Sequence, residues 1–203
     1  MKRIALLLIA LSLSATPALA VVYNSQLGYT ADLPAGWEPL SRQELMANPD
    51  LLEEAFGRAE QNELGGAEGT MLSQVKESIK RGEVEYFYNP AHPDSVISVT
   101  RTTGNLPQDE AGVRSACADM PASLSQYAGR SVEVTECGPA RLGNTNAMYI
   151  ISNVFAGEKK NYQYELQRSP NEILVFTASC DIPDCLAVQQ AFNRMIQSVN
   201  VGR

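Results

Sequence analysis

The sequence predicts an α+β fold: an α/β/α sandwich on a mainly antiparallel sheet, with helices on both faces. Three observations lead there. From Glu83 onward the apolar period is mostly two, the spacing of half-buried strands. The connections between the last of these strands are a few residues long, which antiparallel pairing allows and parallel crossovers do not. Amphipathic helical stretches occur near the start, in the middle and at the end, enough to cover both faces of one sheet.

The chain has 203 residues, and the first twenty read as a leader. Lys2 and Arg3 form a positive start, Ile4–Leu13 is apolar but for Ser12, and Ala18-Leu19-Ala20 supplies the small residues of a cleavage site. Cleavage after Ala20 is expected. It leaves residues 21–203 as a single domain and moves the net charge from −7 to −9, because the leader carries two cations and no acid. The apolar run is shorter than the ~20 residues that a membrane span needs. A periplasmic or secreted protein with no membrane span is expected. An acidic chain with no Lys/Arg cluster also repels phosphate backbones, so nucleic acid is not an expected partner.

The elements follow in order. Residues 21–33 read as a strand pair or one bent strand, firmest from Leu27, where Tyr29, Ala31 and Leu33 alternate with small or polar neighbours. Pro34-Ala35-Gly36 ends it and Trp37 follows. Ser41, with Glu44 three residues on, caps a short helix that breaks at Asn48-Pro49. Asp50–Gln61 places Leu51, Leu52, Ala55, Phe56 and Ala59 on one stripe, and Asn62–Gly69 reads as a loop. Thr70–Arg81 is a third helix with Leu72, Val75 and Ile79 inward, stopped at Gly82. Val84–Tyr88 and Ser95–Thr103 are strands joined by a long turn over Asn89–Asp94. Gln108–Gln126 is helical, with Val113, Cys117, Met120 and Leu124 on one stripe and Pro121 expected to kink or divide it. Strands follow at 132–137, 146–155, 161–167 and 173–179. In the last, Ile173-Leu174-Val175-Phe176 is apolar throughout, as in a central strand covered on both sides. An amphipathic helix from Pro183 to about Val199 closes the chain, its stripe made by Val188, Phe192, Met195 and Val199.

Four cysteines lie beyond the leader. Cys180 and Cys185 flank a turn containing Pro183. Cys117 and Cys137 close a loop of about 20 residues, worth roughly 3 kcal/mol on the chain-entropy account. The expected disulfides are Cys117–Cys137 and Cys180–Cys185. Neither pair has the Cys-x-x-Cys spacing of a redox dithiol, and a single histidine gives no zinc set.

The stretch Gly28–Trp37 carries a resemblance. An aromatic-bearing strand with Tyr29, then Pro34, a short turn with Gly36 and a Trp37 leading toward a helix resembles the PsbP-like superfamily, whose members also often end in a strand and a long helix. The superfamily is named for an extrinsic subunit of photosystem II. The resemblance implies the sandwich described above and a non-enzymatic domain that binds a protein partner. It implies no catalytic residue and no cofactor, and only the fold motif Tyr29, Pro34, Gly36 and Trp37 is carried over.

Residue chemistry points the same way. His92 sits between Pro90 and Pro93 in a turn, where a solvated histidine is expected, and no Gly-x-Ser-x-Gly elbow accompanies it. Trp37 is expected at the core edge. Tyr86, Phe87, Tyr88, Tyr162 and Tyr164 read as residues packed under helices, or else as an aromatic groove for sugar or peptide. The acidic pairs Glu53-Glu54 and Asp109-Glu110 lack calcium-loop spacing, and Gly65-Gly66 is followed by no Lys-Ser/Thr. No metal is expected. The expected function is a protein-binding or accessory factor of the cell envelope, with recognition through loop 62–69 or 89–94. The alternative is a small-molecule carrier with an aromatic-lined pocket, and a hydrolase is the least favoured reading. The sequence names neither partner nor oligomeric state.

Overall fold

Strands β1 (Val21–Asn24) and β2 (Tyr29–Leu33) form an antiparallel hairpin in the computed structural model, which describes residues 21–52, 67–143, 145–154 and 157–202. The leader, the stripe residues Ala55, Phe56 and Ala59, and the pairs Glu53-Glu54 and Gly65-Gly66 lie outside the described residues. The hairpin turn is closed by Ser25 N–H donating to the Tyr29 carbonyl (2.9 Å) and Gly28 N–H donating to the Ser25 carbonyl (3.2 Å). Gly28 takes φ +87°, a conformation side chains rarely adopt. On its other side β2 pairs with β10 (Asn200–Val201), so a small three-stranded sheet joins the two ends of the described chain.

The main sheet has seven strands in the order β3 (Glu38–Leu40), β4 (Val84–Tyr88), β5 (Val96–Thr103), β9 (Glu172–Asp181), β8 (Lys159–Ser169), β7 (Thr145–Val154) and β6 (Glu133–Leu142). Every pairing is antiparallel. β9 is the fourth of seven, as its unbroken apolar run requires. Leu174 and Phe176 are fully buried on one face, while Ile173 is buried and Val175 half-buried on the other. Pro139 sits in β6, the edge strand, where a missing N–H breaks no interior ladder.

One face packs against the small sheet and helix α4 (Cys185–Ser198). There Tyr23, Leu27, Tyr29 and Leu33 meet Phe87, Ile97, Val99, Phe176, Phe192 and Met195 in the main core. The opposite face carries α1 (Arg42–Ala47) and α2 (Ala67–Arg81) toward β4, and α3 (Glu110–Ala128) toward β6. Leu40, Leu52, Ile79 and Val84 form one cluster on that face; Leu106, Val113, Met148 and Ile173 form another.

Local chemistry sets the ends of these helices. The Ser41 hydroxyl accepts from Gln43 N–H and contacts the Glu44 carboxylate. Asp109 caps α3 by accepting from Gly112 N–H at 2.7 Å, and Gly129 ends it at φ +65°.

Several boundaries depart from expectation. Residues 67–69, expected in a loop, belong to α2. Pro121 does not divide α3, which runs on to Ala128. Trp37 leads first into β3 and only then into α1. β6 continues past Cys137 through Gly138 and Pro139. The final helix begins at Cys185, after a single 3₁₀ turn over Ile182–Asp184. Both disulfides are as expected: Cys117–Cys137 ties α3 to β6 (Cα–Cα 5.6 Å), and Cys180–Cys185 ties the end of β9 to α4 (Cα–Cα 5.2 Å).

Candidate functional site

The stretch 28–37 builds a groove at one end of the molecule. Trp37 N–H donates to the Pro34 carbonyl at 3.1 Å, closing a four-residue turn whose third residue, Gly36, has φ +81°. A positive φ at that position is what a type II turn demands, which explains the glycine. The turn folds Trp37 inward, where it is 5% exposed within the main core. Its outer edge, with Leu33, Pro34 and Pro39, lines an open groove of about 790 Å³ whose other wall is Arg194 and Gln197 of α4. Asp32 and Val21 border it, and Val21 and Val22 of edge strand β1 are 66% and 58% exposed.

At the other end of the β1–β2 hairpin, beside its turn, a buried carboxylate bridges the two sheets. Glu85, 2% exposed, lies on the same face of β4 as Phe87. It accepts from the Tyr29 hydroxyl (2.8 Å), the Ser25 hydroxyl (2.7 and 2.9 Å) and the Gln26 backbone N–H (3.0 Å). Burial pushes its pKa up, opposed by the bonds from Ser25, Tyr29 and Gln26. Burial and the same carboxylate push the Tyr23 and Tyr29 phenols up. This cluster clamps the β1–β2 turn onto β4, and the Tyr29 of the fold motif is one of its jaws. The sequence offered one signal for it: an acid on the strand face that also carries the core residue Phe87.

A second concavity of about 240 Å³ lies on the other flank of α4. Its floor is Tyr149, Ile151, Tyr162 and Tyr164 of β7 and β8, with Glu136 at the edge, and its wall is Gln189 and Asn193. The expected aromatic set is therefore split. Tyr86 and Tyr88 point to the α2 side, Phe87 points into the main core, and β5 and β9 separate β4 from β8. Alternation along β4 forbids Tyr86, Phe87 and Tyr88 from sharing one groove. The space between the sheet and α4 is filled by Phe87, Phe176, Phe192 and Met195, each fully buried.

No family model matches the sequence, and no curated protein matches it. Among solved structures, the chain is similar to cyanobacterial PsbP (CyanoP) from Synechocystis, with TM-score 0.55 and 14% identity over 93% of this chain and 95% of that one. The fold is that of PsbP. It also overlaps the Pseudomonas aeruginosa T6SS immunity protein TplEi complexed with a peptide (TM-score 0.47, 12% identity, 90% and 98% coverage). A further likeness is to the Saccharomyces cerevisiae Ran-binding protein Mog1p (TM-score 0.46, 11% identity, 90% and 96% coverage).

Within this PsbP-like fold the remaining sequence-singled residues find their places. His92 is half-buried rather than solvated: its Nδ1 lies 3.2 Å from Asp184 Oδ1, across from the Cys180–Cys185 turn. Ser95 is near in sequence, but its hydroxyl is buried and hydrogen-bonds to no group, His92 included. These three do not form a hydrolase relay, because the hydroxyl has neither base nor access. Among the described residues no three His, Cys, Asp or Glu converge as metal ligands, and no helix is long and apolar enough to cross a membrane. Of the two loops expected to recognise a partner, residues 62–66 lie outside the described residues. The turn 89–94 is held by its own bonds, Asn89 accepting from Ala91 N–H through its side chain and from His92 N–H through its carbonyl. Sequence reasoning missed Arg194, which projects from the exposed flank of the last helix into the Trp37 groove.

Proposed function

We propose that the protein is an exported, non-enzymatic binding protein that takes a segment of a partner protein into the Trp37 groove. The observation that carries this reading is the groove itself: about 790 Å³, open, walled by Leu33, Pro34, Trp37 and Pro39, with Arg194 and Asp32 as charged groups on its lining. A partner would place an apolar side chain against the proline and tryptophan edges and a carboxylate toward Arg194. Val21 and Val22 on the neighbouring edge strand extend the apolar surface. Export is supported by the Lys2–Ala20 leader and by the pairing of all four cysteines in disulfides, which persist in oxidising compartments.

The test is site-specific photo-cross-linking in the native envelope. A photoreactive residue at Pro39 or Gln197 is expected to give one discrete adduct, lost with Arg194→Glu, whereas the same residue at Asp119 on α3 gives none. Equal adducts from all three positions, or adducts indifferent to Arg194→Glu, would refute the groove as the docking site. N-terminal sequencing of the exported form is expected to begin at Val21; a chain beginning at Met1 would refute cleavage.

A further inference from the structure

We infer that the tyrosine groove on β6, β7 and β8 is a second site, and that it binds a neutral hexopyranose ring of a glycan. The register builds it in two cross-strand rows. Glu136, Ile151 and Tyr162 form one, and Gly138, Tyr149 and Tyr164 form the other. Gly138 is part of the design of the floor. A Cβ at that position would lie 3.0 Å from the Tyr149 ring, so the missing side chain lets the ring lie over β6. The Tyr164 ring packs against Phe192 of α4 at a centroid distance of 5.9 Å, and Lys160 sits 5.6 Å from the Tyr162 centroid. The aromatic floor is thus held in place by packing.

The polar groups around that floor leave their hydrogen-bonding capacity unspent. Gln189 and Asn193, one helical turn apart on α4, face it. Among the described residues, neither side chain hydrogen-bonds to a protein group, and neither do Glu136 or the Tyr149, Tyr162 and Tyr164 hydroxyls. Unused amides, hydroxyls and a carboxylate set around aromatic rings match a pyranose. The C–H face of the sugar meets the negative face of a tyrosine, and its ring hydroxyls take the amide and carboxylate bonds. The size agrees: about 240 Å³ falls below the ~300–1,000 Å³ of pockets for drug-sized ligands and suits one ring. The charge agrees too. Glu136 at the edge and Lys160 beside Tyr162 offset each other locally, and the chain's net charge of −7 disfavours phosphorylated or uronic sugars, so the ligand is neutral. The site lies across α4 from the Trp37 groove, and its failure would leave the protein-binding reading intact.

The experiment is an amide-resolved NMR titration of the disulfide-intact protein with three probes, cellotriose, maltotriose and tri-N-acetylchitotriose, at millimolar concentration. At least one is expected to shift the amides of Tyr149, Tyr164, Gln189 and Asn193 and to leave Trp37 and Arg194 unmoved. Asn193→Ala is expected to weaken that probe about tenfold, the cost of one hydrogen bond to a ligand hydroxyl. Asn193 is half-buried and bonds to no protein group, so its variant keeps the fold, which the same spectrum verifies. Tyr149→Ala is expected to abolish the shifts. Absence of shifts with all three sugars, shifts centred elsewhere, or binding unchanged in both variants overturns the assignment. So does a tripeptide that shifts these amides where no sugar does.

Discussion

Glu85→Ala removes the acceptor on which the β1–β2 turn hangs. Three donors lose it: the Tyr29 hydroxyl at 2.8 Å, the Ser25 hydroxyl at 2.7 Å and the Gln26 N–H at 3.0 Å. Tyr29 is 2% exposed, so its hydroxyl carries the cost of an orphaned buried donor, about 1–3 kcal/mol. Ser25 is half-buried and Gln26 exposed, so both find water and cost less. Against these losses stands relief from burying a carboxylate. The net expected loss is about 2–4 kcal/mol, which for a chain of this length lowers Tm by roughly 5–15 °C. Thermal denaturation followed by near-ultraviolet circular dichroism reads it. An unchanged Tm would show that the cluster does not hold the two sheets together. The pH dependence gives an independent check. Glu85 has its folded pKa raised above the ordinary 4.5, so the folded state binds more protons between the two values. Its contribution is therefore fully present below 4.5 and is lost as pH rises through the folded pKa. Glu85→Gln keeps an acceptor for Gln26 N–H and removes the titration. Its Tm relative to the parent is expected to rise between pH 4 and pH 7; a constant difference would refute the buried, charge-penalised carboxylate.

Other outcomes follow from single features. Gly28→Ala places a Cβ against the Arg168 guanidinium at a positive φ, and a loss of about 1–3 kcal/mol is expected, part of it recovered in an Arg168→Ala background by a double-mutant denaturation cycle. Gly36→Ala strains the Pro34–Trp37 turn without a clash, since Asn89 lies 3.5 Å away, and is expected to cost about 1 kcal/mol in a urea titration. Replacing Cys117 and Cys137 together by Ser removes a closed loop of 20 residues and is expected to cost about 3 kcal/mol in the same titration, against about 2 kcal/mol for the Cys180/Cys185 double variant. Asp109→Ala removes the cap of α3 and is expected to cost about 1 kcal/mol.

The strands were legible because their signal is local. Alternation along β8 puts Tyr162, Tyr164 and Leu166 on one face, the unbroken apolar run of β9 marks a strand covered on both sides, and short connections fix the antiparallel sense. The cysteine pairs were legible because each closes a short loop. What escaped has long-range causes. β10 is two residues long and exists because β2 offers it an edge. β3 contains Pro39 and owes its pairing to β4. Residues 67–69 carry a glycine that reads as loop, yet they lie in a helix. The grooves escaped for the same reason. Arg194 and Asn193 are neighbours on one helix, but they face different cavities, and only the placement of α4 over the sheet assigns them. The histidine was misjudged because its partner, Asp184, lies far along the chain.

The join between β5 and β9 has a consequence for how the molecule is made. β5 finds one neighbour early, in β4, but its other ladder partner is the last long strand of the chain. The N-terminal half thus emerges with β5 as an open edge. Its core face stays uncovered until β9 and α4 arrive, and β2 waits longer still for Asn200 and Val201. Contacts this distant in sequence are slow to form, and the main core is incomplete before the C-terminus is available. For the export proposed above, that lateness is useful: a chain whose last strand and helix have not yet appeared cannot close its core while it is being threaded across a membrane.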